Sequence, residues 1–121
     1  MRKIFRNYVP IADSFAALLS PHAEVVLHDL ETDTVAYIVN PISGRKVGDP
    51  SETAMDENIS LDLDVMGPYP KISRDLHRMK STTAVLRDEN GAAAGLFCVN
   101  LDVSRFDAAA EMLQSLIGIP E

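Results

Sequence analysis

The apolar positions fall into two rhythms. Ile4, Tyr8, Ile11, Phe15, Leu18 and Leu19 recur at spacings of three and four, which lines one face of a helix over residues 4–19. Pro10 interrupts it, either as a kink or as the first turn of a shorter helix, and Ser20-Pro21 ends it. Residues 24–30 (EVVLHDL) and 34–40 (TVAYIVN) are short and β-branched, with Glu31-Thr32-Asp33 between them. That spacing predicts a hairpin. Residues 40–67 carry turn signals at Pro41, Gly44, Gly48 and Pro50. Within them Ser51 is placed to cap a short helix reaching Glu57, and the SLDLDVMG stretch reads as loop.

A short strand is predicted over residues 69–73 and a clearer one over 81–87. The Asp88-Glu89-Asn90-Gly91 turn follows, then a buried strand over 92–103, so the last two strands make a second hairpin. Ser104–Ile117 reads as a closing helix, with Phe106, Ala110, Leu113 and Ile117 on one face and Gly118 and Pro120 stopping it. Ser104 and Asp107 approximate a capping box. No βαβ crossover is needed, so the class is α+β. The expected architecture is a five-stranded antiparallel sheet, with short helices over one face and flanking N- and C-terminal helices.

Composition narrows the setting. With 121 residues and 46% apolar content, the chain supports one core and reads as a single domain over 1–121. Cys98 is the lone cysteine, so no internal disulfide forms and no oxidising compartment is required. The N-terminus lacks the continuous apolar stretch of a secretory leader, and no apolar run is long enough to span a bilayer. A cytoplasmic location and no membrane partner are expected. Eighteen acids against eleven bases give a formal charge of −7, which repels a nucleic-acid backbone.

The candidate chemistry is sparse. His22, His28 and His77 are far apart in sequence, so no metal site is expected. Cys98 lies mid-strand and reads as a small core residue, although His28 on a neighbouring strand would be its natural base. The Ser43-Gly44-Arg45-Lys46-Val47-Gly48 loop lacks the Walker spacing, but Arg45 and Lys46 suit an anion. Asp62 and Asp64 read as an exposed acidic edge. No catalytic constellation emerges; neither enzyme activity nor a cofactor is expected.

Several segments together resemble one family. They are Tyr8-Val9-Pro10-Ile11-Ala12-Asp13, Glu24-Val25-Val26-Leu27-His28-Asp29-Leu30, and Ile42-Ser43-Gly44-Arg45-Lys46-Val47-Gly48-Asp49-Pro50. Tyr69, Lys80-Ser81-Thr82-Thr83, Arg87-Asp88-Glu89-Asn90-Gly91 and Leu96-Phe97-Cys98-Val99-Asn100-Leu101-Asp102-Val103-Ser104 complete the set. This pattern resembles the YheO-like PAS domain family of bacterial transcriptional regulators. The resemblance implies an N-terminal sensory domain, a small-molecule effector, and a C-terminal helix-turn-helix domain downstream that contacts DNA. On that implication the chain is a fragment of a longer regulator.

A PAS-like pocket lies between the inner face of the sheet and the segment joining the second and third strands. Polar residues expected there are His28, Tyr37, Asn40, Arg45, Tyr69 and Asn100. A ligand-free homodimerisation module is the alternative, with Phe5, Tyr8, Phe106 and Leu113 on the terminal helices meeting across a twofold axis.

Overall fold

A computed structural model describes residues 1–73 and 75–119. The N-terminal apolar face is carried by two helices, α1 (Lys3–Arg6) and α2 (Val9–Leu18), rather than by one. Pro10 sits in the first turn of α2, where its missing N–H leaves no helical bond unmade. Five strands follow: β1 (Ala23–Asp29), β2 (Thr34–Val39), β3 (Val65–Ile72), β4 (Arg78–Arg87) and β5 (Ala93–Asp102). They form one sheet in the order β2-β1-β5-β4-β3, and every neighbouring pair is antiparallel.

Both faces of the sheet are covered near β1, where all seven residues are buried. On the outer face, Val25, Leu27, Leu86 and Phe97 pack with Phe5, Ala12 and Ala16 of the N-terminal helices. On the inner face, Val26, Val35, Leu96 and Cys98 pack with Ile38, Ile59 and Val85. One glycine fixes how closely α1 approaches. A Cβ at Gly95 would lie 2.3 Å from Phe5 Cε1 and 2.7 Å from the His28 carbonyl oxygen. The aromatic ring therefore occupies the space a side chain would take.

Two expectations about the middle of the chain are corrected. β3 begins at Val65, inside the stretch read as loop. Gly67, at φ +107°, and Pro68 shift the β3–β4 register between Met66 and Tyr69, which hides the strand's alternation. Residues 40–64 contain a single 3-10 turn, Thr53–Met55, and not a helix capped by Ser51. The Ser51 hydroxyl instead meets His28 Nδ1 at 2.6 Å. Asp33 accepts from the Thr53 amide and hydroxyl at 3.3 and 2.9 Å.

The closing helix α3 (Ser104–Ile117) has the expected bounds but no capping box. Ser104 donates its hydroxyl to Asp102, and Asp107 is engaged by Arg78. The His22 and Phe106 rings lie 4.8 Å apart. Beyond these anchors α3 stands clear of the sheet, with residues 105–119 all exposed. Among the described residues, no helix is long and apolar enough to cross a membrane.

Candidate functional site

The inner face of the sheet is organised in rows. Glu24 on β1 pairs with Asn100 on β5, which pairs with Ser81 on β4, which pairs with Tyr69 on β3. The next row is Val26, Cys98 and Thr83; the third is His28, Leu96 and Val85. Residues opposite one another across a ladder point to the same face, so the first row forms a polar floor.

That floor is hydrogen-bonded throughout. Ser81 Oγ donates to Asn100 Oδ1 at 2.7 Å, and Asn100 Nδ2 donates to Glu24 Oε2 at 3.0 Å. Glu24 is completely buried and also accepts from the Ser43 amide at 3.0 Å and from the Ser43 hydroxyl. Arg45 Nη2 reaches Glu24 Oε2 at 3.4 Å, while its Nε donates to Ser43 Oγ at 3.1 Å. A buried carboxylate is tolerated when its lone pairs are occupied in this way. The Ser43–Arg45 loop is thereby tied to the sheet. Between the first row and the next, Tyr69 OH and Thr83 Oγ1 lie 2.8 Å apart, and Thr83 Oγ1 is 3.3 Å from Cys98 Sγ.

Above the floor is an open cleft of about 530 Å³. Glu24, Ser43, Arg45 and Asn100 line its base, and Lys71, Ser73 and Met79 line one wall. Ser51, Glu52, Asp56 and Glu57, from the β2–β3 connection, line the other. Burial lowers the His28 pKa to about 4, with Arg45 and Lys71 adding to the effect, so the ring is neutral near pH 7. Burial likewise pushes the Cys98 thiol and the Tyr69 phenol upward. A thiol raised in this manner is poorly suited to nucleophilic attack.

Of the six expected pocket residues, Arg45 and Asn100 line the cleft, and His28 and Tyr69 lie on the same face of the sheet. Tyr37 lies on the opposite face, packed with the N-terminal helices and donating its hydroxyl to Asp13. Asn40 turns its amide back to the carbonyls of Ala23 and Pro21, at 2.7 and 3.1 Å. Among the expected interface residues, Phe5 is completely buried and offers no surface to a partner. Tyr8 packs edge-on against Phe97, with ring centroids 6.4 Å apart. Phe106 and Leu113 are exposed on α3.

Sequence reasoning did not single out Glu24, Ser43, Lys71 or Ser81. Glu24 had a usable signal. It is an acid inside a β-branched run, in phase with His28 four residues on.

A five-stranded antiparallel sheet in this order, with a polar-floored cleft beneath the β2–β3 connection, is PAS-like architecture. The chain belongs to the YheO-like PAS domain family, which matches residues 1–118. It is 44% identical over 114 residues to the transcriptional regulator DauR of Pseudomonas aeruginosa, covering 93% of this chain and 53% of that protein. It is 27% identical over 125 residues to the YheO protein of Escherichia coli K12, covering 98% of this chain and 51% of that one. The chain thus spans about half the length of the curated relatives it matches.

Proposed function

We propose that this domain is the sensory part of a bacterial transcriptional regulator and binds a small-molecule effector in the cleft. The observation that carries this reading is the floor itself. A buried acid, an amide, a hydroxyl and an arginine converge beneath an open space, with hydrogen bonds fixing each in place. Fixed polar groups under a concave surface are what a specific small-ligand site needs. Family membership and the regulator relative support a regulatory role rather than a catalytic one. Binding shifts transcription only if the ligand favours one of two states. Val103 alone separates β5, which carries Asn100, from α3, so α3 is the proposed output. DNA contact belongs to the remainder of a protein about twice this length, acting in the cytoplasm.

The test is thermal unfolding of the chain against amino acids, organic acids and purines. A ligand at a hundred times its Kd adds about 2.7 kcal/mol, or several degrees for a domain of this size. A reproducible rise with one chemical class supports the proposal. A flat response across the panel counts against it.

A second reading, ligand-free homodimerisation, is favoured by one observation. Phe106, Leu113, Leu116 and Ile117 are all exposed on α3, and Ile11, Phe15 and Leu18 are exposed on α2. Surfaces of this kind mark association sites. Sensing and pairing are compatible in one domain.

A further inference from the structure

We propose that the cleft recognises one anionic group of its ligand, a carboxylate in size, and that Lys71 is the residue that takes it; this rests on the effector-binding reading above. The argument starts from charge pairing. Acids exceed bases by seven in this chain. Arg2, Arg45, Arg78 and Arg87 each meet a carboxylate. Lys71 is different. It is half-buried on the cleft wall, and among the described residues it makes neither an ion pair nor a side-chain hydrogen bond. It stands directly opposite Met79, a buried residue that lines the same cleft, so strand pairing places both on the inner face. An ammonium on a cleft wall with no ion-pair partner among the described residues is free to take an incoming anion by a charge-assisted hydrogen bond.

The surroundings favour the same group. Glu24 is already engaged by Ser43, Arg45 and Asn100, so its charge is answered within the protein. Among the described residues, Arg45 Nη1 has no hydrogen-bond partner, which leaves one edge of the guanidinium open beside the cleft. The fields of Arg45 and Lys71 converge on His28 and Cys98, and both push those groups toward their less positive forms. The opposite wall carries Glu52, Asp56 and Glu57. Those three acids repel every negative charge on a ligand, so each charge beyond the one that Lys71 meets adds repulsion and a polyanion is the poorest fit.

The experiment is an amide chemical-shift titration of the chain with sodium butyrate, butyramide and trisodium citrate at matched ionic strength, with sodium chloride as the blank. Butyrate and butyramide share one carbon skeleton and differ in charge. Butyrate is expected to move the amides of Ser43, Ser51, Lys71 and Asn100, and to bind roughly tenfold more tightly than butyramide or citrate. Lys71→Gln is expected to bring butyrate down to the level of butyramide, and Lys71→Arg to restore it. Equal binding of butyrate and butyramide would overturn the anion assignment while leaving a ligand-binding cleft. Unchanged butyrate affinity in Lys71→Gln would overturn the role of Lys71. No movement of the cleft amides with any compound, at high millimolar concentration, would overturn both this inference and the reading beneath it.

Discussion

Asn100 Nδ2 donates to Glu24 Oε2 at 3.0 Å, and the same two residues are direct partners in the β1–β5 ladder. Backbone pairing and side-chain pairing therefore hold one register together. Both side chains are buried, so neither has water as a substitute partner.

Removing the Asn100 amide strands two groups at once. Glu24 loses a donor, and the Ser81 hydroxyl loses its acceptor. Asn100→Ala is expected to lower the unfolding free energy by about 1–3 kcal/mol, the usual penalty for orphaned buried polar atoms. Urea denaturation measures it. A loss within error of zero would mean that the floor contributes nothing to stability.

His28 supplies a pH dependence. Its folded pKa of about 4 lies below the ordinary 6.5, so between those values the unfolded chain binds a proton that the fold refuses. The contribution is whole above pH 6.5 and is lost as pH falls toward 4. A shift of this size corresponds to about 3 kcal/mol at most. Unfolding followed from pH 7 to pH 4 is expected to show a drop that His28→Gln reduces. Equal slopes in the two proteins would exclude His28 as the source.

The contact between Gly95 and Phe5 predicts a specific rescue. Gly95→Ala pushes a methyl group into the Phe5 ring and is expected to destabilise by about 1–3 kcal/mol. Phe5→Leu vacates the ring and is expected to recover part of that loss in the double variant. A thermodynamic cycle reads the coupling directly. Strict additivity would show that the two positions do not share the space.

The exposed face of α3 predicts an effect on association. If it pairs two copies, Leu113→Asp is expected to shift sedimentation from dimer to monomer without lowering the melting point of the monomeric domain. The substitution should be silent within the fold, because Leu113 is 56% exposed there. An unchanged oligomeric state would exclude this helix as the interface.

The strands and their antiparallel pairing were legible because β-branched runs and turn residues report on local backbone. What faces what was less so. Val35 and Tyr37 are two residues apart yet lie on opposite faces, because the β1–β2 register shifts between Leu27 and His28. An irregularity of this kind reverses the alternation beyond it, and nothing in the sequence marks its position. Asn40 was expected in the pocket for its polarity, but that same polarity lets it close the strand end on Ala23 and Pro21. The periodicity of α3 revealed an apolar stripe and its length. It did not show that the outer face of the sheet was already occupied by α1 and α2. Lys71 had no sequence signal, since its lack of an ion-pair partner among the described residues is a matter of what the fold places around it.

The short junction at Val103 has a mechanical consequence. α3 is a rod of fourteen residues, about 21 Å long, rooted in the strand that carries part of the cleft floor. A rod multiplies angle into distance. A tilt of roughly 5° at its root would sweep its far end through nearly 2 Å, while the atoms at the floor shift by a small fraction of that. The Arg78–Asp107 pair and the His22 ring contact both lie near that root, within the first turn of the helix. On the proposed reading of α3 as the output, an adjustment too small to disturb the sheet becomes a larger displacement at the far end of the helix.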